Sequence, residues 1–130
     1  MSAYGIKKQL RIPFDEAIRQ VTESLKTEGF GILTDVDISG TIKTKLGKDM
    51  PRYRILGACN PALAFQALQV EPEVGLMMPC NVIVYDDAGS TVVTAVDPTG
   101  TMAAGGNPAV MEVARTVRAK LEKALERLTA

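Results

Sequence analysis

Residues 53–70 read Tyr-Arg-Ile-Leu-Gly-Ala-Cys-Asn-Pro-Ala-Leu-Ala-Phe-Gln-Ala-Leu-Gln-Val. The run Tyr53–Ala58 has the composition of a strand that ends at a turn. Asn60-Pro61 then supplies a helix start. Asparagine is a favoured N-cap, and proline suits the first helical position because its missing N–H would be unpaired there anyway. Over Ala62–Val70, the residues Leu63, Ala64, Ala67 and Leu68 recur at helical spacing and make a short apolar face. A strand that passes directly into a capped helix defines one unit of a sheet-and-helix architecture.

Upstream, Ala3–Arg11 reads as a strand. Pro13 opens a helical pattern in which Ala17, Ile18, Val21 and Leu25 share one face, and Gly29 is the expected stop. Phe30–Asp37 returns to strand, with Ile32, Val36 and Ile38 expected on one side and Asp35 and Asp37 on the other. Ser39 is expected to cap a short helix through Leu46 that ends at Gly47. Downstream, Asn81–Asp86 and Thr91–Val96 form an apolar hairpin around Asp87-Ala88-Gly89-Ser90. Asn107-Pro108 repeats the capping pair and opens a long helix. Its apolar face runs through Val110, Val113, Val117, Leu121, Ala124, Leu125 and Leu128. The order predicts one α+β domain over residues 1–130, with a mostly antiparallel sheet of about five strands and helices on one face. No linker, repeat or low-complexity segment interrupts it.

A chain of 130 residues can bury one sizeable core without disulfide staples. Fifteen basic side chains balance fifteen acidic ones, so no overall field favours nucleic acid or an anionic membrane. The charges are unevenly spread: residues 61–100 hold five acidic and no basic side chains, and Lys43, Lys45, Lys48, Arg52 and Arg54 cluster earlier. That cluster reads as a solvated surface before it reads as an anion site. Histidine is absent, which excludes histidine acid–base catalysis, a Ser-His-Asp triad, a Cys-His dyad and any His-ligated zinc within one chain. Met1–Gly5 shows no export signal, and no apolar run approaches the about 18 residues needed to span a bilayer. Two cysteines in that setting point to a reducing cytoplasm.

The segment Ile55-Leu56-Gly57-Ala58-Cys59-Asn60-Pro61, followed by Leu76-Met77-Met78-Pro79-Cys80-Asn81-Val82-Ile83-Val84, resembles the cysteine-bearing branch of domain-of-unknown-function family 302. Gly29-Phe30 and Asp97-Pro98 extend the likeness along nearly the whole chain. The resemblance implies a fold similar to the TATA-box-binding-like class, a curved sheet gripping a long helix, and a homodimer. It implies no activity, and the fold analogy licenses no DNA binding.

The chemistry in the sequence is carried by Cys59 and Cys80, each at a strand end and each followed by asparagine. Cys59 lies at a helix entrance with Arg52 and Arg54 upstream, an arrangement expected to lower its pKa. The alternative is a small buried hydrophobe. Paired, the two cysteines could form a reversible disulfide or hold a soft metal such as Cu(I) or Zn, with Met77, Met78 or Met102 as thioether neighbours. A dimer could bring four thiolates to one tetrahedral site. Asn60 and Asn81 read as turn and cap residues, or as amide donors to an anionic ligand. Asp35, Asp37, Asp86, Asp87 and Asp97 are poor candidates for paired-acid chemistry, since Asp86 and Asp87 flank a turn. The glycine-rich stretch Thr99–Asn107 lacks a P-loop signature and reads as a connector or lid. These residues suggest a binding or sensing module for a small ligand, soft metal or oxidant at Cys59 and Cys80. A thiol enzyme using Cys59, for sulfur transfer or peroxide reduction, and a structural subunit with packed cysteines are the alternatives.

Overall fold

The hairpin read from Asn81 to Val96 occupies the middle of the sheet. The computed structural model describes residues 2–129. Five strands, β1 (Gly5–Leu10), β2 (Gly31–Asp37), β3 (Tyr53–Cys59), β4 (Cys80–Asp87) and β5 (Ser90–Val96), form one sheet in the order β1-β5-β4-β3-β2. Every neighbouring pair is antiparallel. Ala88 and Gly89 both take positive φ, the conformation a tight two-residue hairpin turn needs. The helices are α1 (Phe14–Thr27), α2 (Ile38–Leu46), α3 (Pro61–Val70), α4 (Pro98–Thr101) and α5 (Pro108–Glu126).

One sheet face is apolar because alternate residues of each strand are. Ile6 and Leu10, Val93 and Ala95, Val82 and Val84, and Leu56 and Ala58 share it by register. They pack against Phe14, Val21 and Leu25 of α1 and Val117, Leu121 and Leu125 of α5. The first half of α5 has another partner: Val110 and Ala114 join Ala67 of α3, Val74 and Met102 in a second cluster. Polar contacts tie down the same seam. Ser24 Oγ donates to the carbonyl of Ala124 at 2.5 Å, joining α1 to α5. Lys8, on the helix-facing side of β1, donates from Nζ to the carbonyls of Leu128 (2.6 Å) and Glu126 (3.1 Å). A cation there satisfies C-terminal carbonyls and opposes the helix dipole.

The asparagine caps form as expected. Asn60 Oδ1 accepts from the Leu63 N–H, and Asn107 Oδ1 from the Ala109 N–H at 3.0 Å. Three expectations need correction. Asp37, not Ser39, caps α2, accepting from the Gly40 N–H at 2.9 Å, because β2 runs straight into the helix with no intervening turn. The register of β2 shifts between Ile32 and Thr34, leaving Leu33 as an extra, exposed residue. That bulge breaks the alternation, so Asp35 and Asp37 lie opposite Leu56 and Arg54 on the helix side, with Ile32, while Val36 lies on the other. The stretch before α5 is also more than a connector: it holds α4 and a 3₁₀ turn, Met102–Gly105, whose Met102 is buried.

Leu121 is fully buried where α5 meets the sheet and α1. Leu121→Ala is expected to cost about 3 kcal/mol of unfolding free energy, by lost transfer energy plus a residual cavity. Chemical denaturation checks it, and a loss under about 1 kcal/mol would contradict this account of the core.

Candidate site at the ends of strands three and four

At the end of β3 the chain enters α3, and the 3₁₀ turn Pro72–Met77 brings it back to begin β4 beside β3. Ala58 pairs with Cys80 and Gly57 with Asn81. The close approach depends on Gly57. A Cβ there would lie 2.1 Å from Thr34 Oγ1 and 2.7 Å from Pro79 Cγ, so a larger residue would have to displace the Thr34 side chain and the Pro79 ring.

Between the strand ends, α3 and α5 lies a small cavity of about 30 Å³. Its wall is Phe30, Ala58, Cys59, Asn60, Leu63, Ala64, Ala67, Met78, Pro79, Cys80, Met102, Val113 and Val117. No charged side chain contributes. A water needs roughly 10–15 Å³, so the space suits a guest the size of an ion or one or two waters.

Both cysteines are free; Cys80 is buried and Cys59 half-buried. Because Ala58, not Cys59, lies opposite Cys80, the pleat does not set the two thiols as a facing pair. They share the cavity wall all the same. The expected lowering of the Cys59 pKa does not occur: burial raises it. Burial pushes the Cys80 thiol up to about 11, and the neighbouring Cys59 adds to the shift. The sources of positive potential are spent or distant. Asn60 already occupies the Leu63 N–H at the α3 entrance. Arg54 donates to Asp35 at 2.9 Å, and it stands five residues along the strand from Cys59, about 17 Å. Arg52 pairs with Asp15 at 2.9 Å and lies 4.1 Å over the Phe14 ring.

Asn60 is a positioning residue. Its Nδ2 donates to the Glu28 carbonyl at 3.2 Å while Oδ1 holds the α3 N-terminus, so both ends of the amide are engaged. Gly29, at φ +88°, leaves room for it; a Cβ would come within 3.0 Å of Nδ2. Asn81, by contrast, is exposed and does not line the cavity. The methionines separate in the same way: Met78 and Met102 line the wall, and Met77 is turned out to solvent. Sequence spacing alone gave no basis for choosing between them.

The remaining candidates serve the fold. Asp97 accepts from the Thr99 N–H (2.9 Å), Thr99 Oγ1 (2.6 Å) and Arg118 Nε (3.1 Å), fixing α4 against α5. Lys43 pairs with Asp49 at 3.0 Å. Arg52 and Arg54 are also paired, so three of the five cations of the basic cluster sit in ion pairs. Among the described residues, no three histidine, cysteine, aspartate or glutamate side chains gather to hold a metal ion, and no helix is long and apolar enough to cross a membrane.

The fold and the cavity together define a class: a small α+β domain with an all-antiparallel sheet and a neutral, sulfur-bearing cleft at one end. The chain belongs to the family described as domain of unknown function DUF302, whose model matches residues 6–128. It is similar to a crystal structure of an uncharacterized conserved DUF302 protein from Bacillus stearothermophilus, with 30% identity and a TM-score of 0.90. That likeness covers 97% of this chain and 98% of the other. No curated protein matches the chain.

Two consequences are measurable. Alkylation of Cys59 and Cys80 in the folded protein should be slow at pH 7 and accelerate only above the free-thiol range of about 8.5. Fast labelling at pH 7 would contradict the buried, neutral thiols. Stability should follow the same ionisation. The folded pKa of Cys80 is raised, so its contribution is complete below about pH 9 and is lost as pH rises toward about 11. The loss amounts to about 2–3 kcal/mol, and denaturation of Cys80→Ala should show none of it.

Proposed function

We propose that this protein is a small binding or sensing module that takes a guest of one or two heavy atoms in the cavity lined by Cys59 and Cys80. The observation that carries the reading is the wall itself: two free cysteines in an otherwise apolar lining, around about 30 Å³ of space. A drug-sized organic ligand needs some 300 Å³ or more, and an anion needs donors that this wall lacks. A soft metal ion or a small neutral oxidant suits it better. Two free thiols are in keeping with a reducing cytoplasm. The raised thiol pKa values weigh against Cys59 as the nucleophile of an enzyme, since the thiolate is the attacking species.

A homodimer is part of this reading. Helix α3 carries no charged residue from Pro61 to Val70, yet Phe65 and Val70 are 63% and 47% exposed. Leu76 and Met77 in the following turn are exposed as well. A neutral apolar face can meet its own copy across a two-fold axis without like-charge repulsion. Phe65→Glu would then shift the protein to monomer in sedimentation at micromolar concentration; a wild-type monomer at that concentration would remove the dimer from the reading.

The cavity is tested by titrating ¹⁵N-labelled protein with Ag(I), nitric oxide and hydrogen peroxide in turn. At least one should move the amide resonances of residues 58–60 and 78–80, and Cys59→Ser should abolish the response while keeping the wild-type melting temperature. If no probe moves those resonances, or if Cys59→Ser fails to fold, the cysteines are packing residues and the proposal fails.

A further inference from the structure

We infer that the cavity is a site for a soft monovalent cation of the Cu(I) type, held by sulfur from Cys59, Cys80, Met78 and Met102. This rests on the cavity reading above and names its guest. Four of the thirteen residues in the wall carry sulfur, and they come from three separate places: the end of β3, the entry to β4, and the 3₁₀ turn after α4. Of the chain's two cysteines and six methionines, both cysteines, Met78 and Met102 line the cavity, whereas Met111, packed against the second cluster, does not. Met102 is buried and Met78 half-buried, whereas Met77, adjacent in sequence, stays in solvent.

Ligand type and charge select the cation. Thiolate and thioether donors favour soft ions, and thioethers are poor partners for harder divalent ones. The wall offers no carboxylate, imidazole or cationic side chain, and Asn60 has both ends of its amide engaged. Net charge left in so apolar a place is costly. A monovalent cation with one thiolate is neutral, and the second, still protonated thiol and the two thioethers complete its coordination without adding charge. A divalent ion needs both thiols ionised and still lacks harder donors. On binding, one S–H bond breaks, a metal–sulfur bond forms, and the proton passes to solvent; no electron is transferred. Phe30, Val113 and Val117 make the rest of the wall apolar around the sulfur atoms.

The test uses the full chain under anaerobic conditions, with Cu(I) supplied from a coloured bicinchoninate complex and Ag(I) as a redox-inert second probe. The wild type should take one equivalent per chain, and X-ray absorption should show a sulfur-only shell. Met78→Leu and Met102→Leu should each weaken binding by about tenfold or more, since even residues behind metal ligands cost that much. These swaps conserve volume, so the variants should fold, as a thermal melt will verify. Met77→Leu should bind like the wild type. Wild-type affinity in folded Met78→Leu and Met102→Leu, or nitrogen and oxygen in the metal shell, would overturn the inference. If Cu(I) and Ag(I) fail to bind while nitric oxide or peroxide still moves the cavity resonances, the cation is refuted and the cavity reading stands. If no probe binds, both fall.

Discussion

The apolar seam of α5 is the constraint on which the rest of this structure depends. Its C-terminal half, through Val117, Leu121 and Leu125, covers the sheet and meets α1; its N-terminal half, through Val110 and Ala114, holds α3 and the 3₁₀ turns before β4 and after α4. A five-stranded antiparallel sheet with one apolar face must bury that face against something, and α5 does so together with α1. Lys8 and Ser24 then lock the register of the helix with hydrogen bonds to its last carbonyls. Because α5 spans both clusters, it also forms one side of the cavity, where Val113 and Val117 complete the wall.

Within that frame, burial and not charge governs the thiols. Cys59 stands next to a helix entrance and downstream of two arginines, and either feature could have stabilised a thiolate. Neither does. The cap amide has taken the Leu63 N–H, and Arg54, whose backbone lies about 17 Å up the strand, is paired with Asp35. Exposed charges at that distance are screened, since the Debye length is about 8 Å at physiological salt. What remains is removal from water, which favours the neutral thiol in both cysteines.

Much of the fold was legible because the relevant signals are local. Alternation in Val82–Val84 and Val92–Ala95, the Asn-Pro pairs at 60–61 and 107–108, and the face of α5 each report on a few neighbouring residues, and each appears where it was read. The misreadings share a different cause. The bulge at Leu33 and the cap at Asp37 depend on how β2 meets β3, which no local pattern encodes. The juxtaposition of Cys59 and Cys80 could be suspected from two similar strand ends. The choice of Met78 and Met102 over Met77, the exclusion of Asn81, and the sign of the thiol shifts all follow from tertiary placement.

Asn60 reaches back across thirty-two residues to the carbonyl at the end of α1, and that contact has a temporal meaning. The cavity draws its walls from Phe30, from the strand ends near residues 58 and 80, and from α5 as late as Val117. Closing loops of that length is paid for entropically before the contacts return anything. A chain emerging from synthesis can therefore assemble its hairpin early but has no complete cavity wall until the last helix docks. Until then the sulfur side chains have only part of their surroundings. The site is thus a product of the finished fold: no single segment carries it, and Cys59 and Met78 stay half-buried once α5 has docked.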